Sequence, residues 1–108
     1  MGILIAFSTF PSEASAREAA GMLVENGLAA CASILPGIKS IYRWQGKIEA
    51  SSETLLMLKT TQDAYPQLES ALKACHPYEL PEILAVRAEA GLPGYLEWVV
   101  QETACNNK

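Results

Sequence analysis

Between residues 28 and 59 the chain carries two long, mostly apolar stretches joined by Gln45-Gly46. Nothing else in the sequence constrains the fold as strongly. Leu28 to Leu35 is small and apolar throughout, Pro36-Gly37 bends the chain, and Ile38 to Trp44 resumes as a strand. Alternation puts Ile38, Ser40, Tyr42 and Trp44 on one face and Lys39, Ile41 and Arg43 on the other. After the tight turn come Lys47-Ile48-Glu49, a polar stretch Ala50-Ser51-Ser52-Glu53 that reads as a bulge or kink, and the apolar run Thr54 to Lys59. The outcome is one long hairpin, bent midway in each arm. Its tip must protrude beyond any sheet set by shorter strands, leaving an unpaired edge that proteins usually cover. A second copy of the chain is the natural cover.

The flanking segments supply the rest of the sheet. Ile3 to Phe10 is a short apolar run ended by Pro11, and it reads as a buried strand, not a signal peptide, because it lacks a basic leader and a long apolar core. Ser12 is placed to cap a helix with Glu13 in its first turn and Ala16, Ala19, Ala20 and Leu23 along one face; Asn26-Gly27 ends it. Gly21, inside that helix, is explicable by close packing on a sheet. A second helix starts at Thr61 or Asp63, with Leu68, Ala71, Leu72 and Cys75 at helical spacing, and stops at His76-Pro77. Ile83 to Glu89 is a last strand, and Pro93 opens a final helix running to about Thr103. Residues 104–108 read as a frayed tail. The order β-α-β-β-α-β-α describes one α+β domain over residues 1–108, a ferredoxin-like split β-α-β sandwich with an antiparallel sheet and an added C-terminal helix.

Charge and composition exclude several functions. Half of the 108 residues are hydrophobic and the formal net charge is -4, which argues against disorder and against a nucleic-acid partner. No apolar run approaches the roughly 20 residues of a membrane span. Three cysteines at irregular spacing, Cys31, Cys75 and Cys105, fit reduced thiols in a cytoplasmic protein better than a disulfide framework. No nucleotide-binding, phosphate-loop or nucleophile-elbow motif is present, and the chain is expected not to be an enzyme.

The segment with most chemistry is Cys75-His76-Pro77-Tyr78-Glu79-Leu80-Pro81-Glu82. Two prolines hold an imidazole, a phenol and carboxylates in a restricted arrangement. Thiolate and imidazole donors favour copper or zinc. The alternative is a helix end, with an exposed His76 near the last carbonyls and Cys75 in the core. Copper ranks highest among first-row divalent ions for nitrogen ligands, so the expected metal set is His76 as principal ligand, Glu79 or Glu82 in support, and Cys75 optional. Cys31, flanked by alanines, reads as a buried structural thiol. Cys105 falls in the tail, and Tyr42, Trp44, Tyr95 and Trp98 as interface aromatics.

Taken in order, Leu28-Ala29-Ala30-Cys31, Ile34-Leu35-Pro36-Gly37, Ser40-Ile41-Tyr42-Arg43-Trp44-Gln45-Gly46-Lys47, Lys59-Thr60, His76-Pro77-Tyr78-Glu79-Leu80-Pro81-Glu82 and Tyr95-Leu96-Glu97-Trp98 resemble the CutA divalent-cation-tolerance proteins over essentially the whole chain. Gln45 departs from a commonly acidic position, and Cys75 from an ordinary helix-end residue. The resemblance implies a tight homotrimer with hairpin arms wrapped around neighbours, association with copper and other divalent cations, and an intersubunit cleft gathering His76, Tyr78, Glu82, Trp44 and Lys59. It also implies architectural similarity to the trimeric PII signalling proteins. Two further functions therefore stand beside metal binding: a PII-like sensor taking a small anion through Lys59 and Arg43, and a structural adaptor whose role is the trimer itself.

Overall fold

A computed structural model of the chain describes residues 2–103. The elements run β1 (Ile3–Phe10), α1 (Glu13–Glu25), β2 (Cys31–Trp44), β3 (Lys47–Thr61), α2 (Tyr65–Cys75), β4 (Leu84–Arg87) and α3 (Pro93–Glu102). The four strands form one antiparallel sheet in the order β2-β3-β1-β4. This is the expected α+β, ferredoxin-like arrangement with its extra helix. The tail expected over 104–108, with Cys105, lies outside the described residues.

Local chemistry accounts for the helix ends. Ser12 Oγ accepts the Ser15 N–H at 3.1 Å and caps α1. At the other end Gly27 adopts φ 72°, and the amides of Leu28 and Gly27 reach back to the carbonyls of Leu23 (2.9 Å) and Val24 (3.0 Å). That pair of bonds satisfies carbonyls the helix leaves open. Ala16, Ala19, Ala20 and Leu23 face the sheet as the spacing demands. Gly21 does not. It is exposed, and a Cβ there would meet nothing within 4 Å, so close packing is not its explanation. The second helix begins later than expected, at Tyr65, with Thr61 Oγ1 accepting the Ala64 N–H at 3.1 Å.

Both helices cover one face of the sheet. Phe10, Leu23, Leu56, Leu58, Leu68 and Leu72 are fully buried there. The register Ala6↔Leu58 and Ser8↔Leu56 fixes which face this is, and alternation sends Ile5, Phe7, Leu55 and Met57 to the other. Of the described helices, α3 packs on that second face, with Val99 on Ile3 and Ala30 at one end. Leu84 and Val86 on edge strand β4 remain about half exposed on it.

The hairpin is as long as the sequence implied but is built differently. Pairing with β1 stops at Phe10↔Thr54, so the arm beyond Glu53 pairs only with itself. Pro36 and Gly37 lie between the pairs Leu35↔Leu55 and Ile38↔Glu53, two residues opposite one, a bulge on β2 with Gly37 at φ 80°. The interruption expected on β3 is absent. Ala50, Ser51, Ser52 and Glu53 pair in unbroken register with Ile41, Ser40, Lys39 and Ile38. Ser52 is polar because it faces solvent, where its Oγ accepts from Lys39 Nζ at 2.8 Å, whereas Glu53 and the Ser51 hydroxyl are buried. The tip is a two-residue turn with both Gln45 (φ 52°) and Gly46 (φ 82°) left-handed, the geometry that matches strand twist.

Candidate functional site

The chain leaves α2 at Cys75, and Pro77 forces the preceding residue out of helical conformation, so His76 is extended at φ -77°, ψ 137°. That step swings the imidazole inward, against the end of β1. The ring stacks on Phe10 with centroids 4.2 Å apart and is only 9% exposed. Its Nε2 lies 2.8 Å from the Thr9 carbonyl oxygen, and its Nδ1 accepts the Tyr78 N–H at 3.1 Å. A carbonyl requires a proton on Nε2 and an amide requires a lone pair on Nδ1, so one neutral tautomer satisfies both. Burial pushes the His76 pKa below its ordinary value, outweighing the Thr9 carbonyl and the charge of Glu53, which act the other way. The imidazole is thus not the exposed group the sequence suggested. Metal coordination through it requires giving up one of the two bonds.

Tyr78 carries the network outward. Its ring lies 5.0 Å from that of His76, and its hydroxyl donates to Glu53 Oε2 at 2.7 Å. Burial, then the hydrogen bond and charge of Glu53, raise the phenol far above its usual pKa, so it stays a donor. Where the 78–82 segment faces the arm, a cleft of about 590 Å³ opens, lined by Thr9, Ser40, Ile41, Tyr42, Trp44, Glu53, Tyr78, Glu79, Leu80 and Glu82. It contains three carboxylates and no basic side chain.

Five sequence-derived candidates line this cleft: Tyr42, Trp44, Tyr78, Glu79 and Glu82. His76 sits behind Tyr78. Cys75 is exposed, correcting its expected place in the core; its Sγ lies 3.5 Å from the Leu72 carbonyl, and burial of the thiol leads the causes that raise its pKa. Lys59 is half-buried, with Nζ 3.5 Å from Ser33 Oγ. Arg43 alternates to the face opposite Trp44, so the two cations expected to clasp an anion are not brought together in one protomer. Cys31 is half-buried, not sealed, and its Sγ lies 3.4 Å from the Tyr95 hydroxyl. Among the described residues no three His, Cys, Asp or Glu side chains converge to enclose a metal ion. Glu53 is the site residue that sequence reasoning missed. It was placed in a supposed kink, and the signal available was a lone carboxylate on the same strand face as Leu55 and Met57.

A family model described as the CutA1 divalent ion tolerance protein matches residues 4–102. The divalent-cation tolerance protein CutA of Thermus thermophilus is 50% identical over 95 residues, covering 88% of this chain and 92% of that one. Protein CutA of Mus musculus is 48% identical over 98 residues, covering 91% of this chain but 55% of its own length. The chain therefore spans about half of the mammalian relatives it matches. Among solved structures, the Thermus thermophilus divalent cation tolerance protein superposes with a TM-score of 0.91 at 46% identity, covering 94% of this chain and 98% of that one. CutA1 from Oryza sativa superposes at 0.92 with 35% identity, covering 95% and 94%. The chain belongs to the CutA1 divalent ion tolerance protein family.

Proposed function

We propose that the protein binds divalent cations, copper foremost, in the cleft between the arm and the 78–82 segment, and does so as a homotrimer that completes each site between protomers. The observation that carries this is the cleft's charge: Glu53, Glu79 and Glu82 line it with no lysine or arginine among them. Glu79 and Glu82 are exposed, and so free to take a metal from solvent. Two carboxylates underfill a coordination sphere, so donors from a neighbouring copy supply the remainder. Copper leads because it ranks highest of the first-row divalent ions even for oxygen donors. In this reading His76 holds Tyr78 and the turn in place from outside the coordination sphere, and Cys75 is dispensable. The trimer is supported by the arm, where Ile41 and Ile48 are 76% and 64% exposed, and by the sheet face that α3 covers only in part.

Calorimetric titration with Cu²⁺ and then Zn²⁺ tests the reading, with sedimentation in the same buffer reporting assembly. The Glu79→Gln, Glu82→Gln double variant is expected to bind copper at least roughly tenfold more weakly, since it removes both charged donors. Unchanged affinity in that variant, together with loss in Cys75→Ser, transfers the binding to sulfur and ends the carboxylate assignment.

A further inference from the structure

Glu53 sits in the cleft with an unusual deficit. It is 8% exposed, and Oε2 accepts the Tyr78 hydroxyl, yet among the described residues no cation pairs with it. The ion pair found among the described residues joins Arg17 and Glu13, on α1. A carboxylate removed from water without a cationic partner is costly. The other carboxylate oxygen of Glu53 accepts no hydrogen bond from the described residues. Tyr42, Trp44 and Tyr78 line the same cleft. An aromatic face attracts a cation through its quadrupole, indole most strongly.

We infer that the inner part of this cleft, at Glu53, Tyr42 and Trp44, is a binding site for an aliphatic ammonium ligand. The –NH₃⁺ head donates to the free oxygen of Glu53, while the alkyl stem lies along Trp44 and Tyr42. Hydrogen-bond acceptors flanked by aromatic rings suit an ammonium head, because its donors are directional and its stem is apolar. Glu79 and Glu82 stand in the same lining, where they meet the second charge of a diamine. The metal reading shares the charge of Glu53 but takes its ligands from Glu79 and Glu82, whereas the ammonium head is held by Glu53 and the aromatic lining.

The test is calorimetric titration of the full chain with n-butylammonium chloride, 1,4-diaminobutane and neutral 1-butanol, in the presence of a chelator so that metal does not enter. The amines are expected to bind, the diamine severalfold more tightly than the monoamine, and butanol not at all. Trp44→Leu keeps an apolar surface but removes the indole, and weakens the monoamine roughly tenfold. Glu53→Gln removes the charge and weakens it by at least as much; if that variant does not fold by circular dichroism, Trp44→Leu decides alone. Butanol binding as well as butylammonium, amine affinity untouched by Trp44→Leu, or no amine binding at all each overturns the site. A failed copper titration leaves these outcomes unaffected, and the converse also holds.

Discussion

At the scale of single residues, His76 is a buried histidine whose two nitrogens are matched to one carbonyl and one amide. Protonation would place an N–H on Nδ1 facing the Tyr78 N–H. Its pKa is lowered on folding, so between the folded value and about 6.5, the unfolded value, the unfolded chain binds more protons. This contribution to stability is therefore complete above about 6.5 and is lost progressively as pH falls towards the folded value. Urea midpoints across pH 7.5 to 5 are expected to decline more steeply for the parent protein than for His76→Gln; parallel curves would show that the ring titrates freely. Tyr78→Phe is expected to cost about 1.5–3 kcal/mol, because it strips a charged, buried acceptor of its donor. Chemical denaturation measures it, and a loss below half a kilocalorie would mean water replaces the hydroxyl. The segment from Cys75 to Glu82 was legible as chemically dense because its residue types stand adjacent. That His76 faces inward was not, because the groups that hold it, Thr9 and Phe10, lie on a strand far away in sequence. Glu53 was hidden for the same reason.

At the scale of elements, α1 was legible to its ends, since Ser12 and Asn26-Gly27 state their conformations locally. The arm was legible in length and turn but not in detail. A polar run in a strand signals either a kink or a solvated edge, and only the pairing partner distinguishes them. Two substitutions follow from the geometry. Gly21→Ala is expected to raise stability by about 0.5–1 kcal/mol, because the site is helical, exposed and open to a methyl group. A lowered thermal midpoint in that variant would show that the methyl group is not accommodated. Gln45→Asn relieves a left-handed, non-glycine position at the tip and is expected to add about 0.5–1 kcal/mol, read as a higher urea midpoint. No gain there would mean that glutamine makes a compensating contact.

At the scale of the whole molecule, the apolar surface is distributed as an associating chain would have it. The sheet has helices on one face, α3 over part of the other, and Leu84 and Val86 about half exposed on the uncovered portion. Leu84→Lys adds charge there without touching the buried core. It is expected to shift sedimentation towards smaller species on dilution while circular dichroism of the protomer is preserved. Equal sedimentation of variant and parent at every concentration would exclude this face from any self-association. The principal extents, 43 × 27 × 22 Å, reflect an arm that leaves the body instead of folding onto it.

The strand order has a consequence for synthesis. β1 emerges from the ribosome before the other three strands but occupies an interior position, hydrogen-bonded to β3 on one side and β4 on the other. Its nearest partner in sequence is Thr54, opposite Phe10. At about 5–20 residues per second, the gap between them corresponds to roughly 2–9 s of elongation. For that interval Ile3–Phe10, apolar and of high strand propensity, has no strand to pair with. β3 must be made before the sheet can close on β1. Elongation speed, more than final stability, then sets how long the nascent chain offers that strand to other polypeptides.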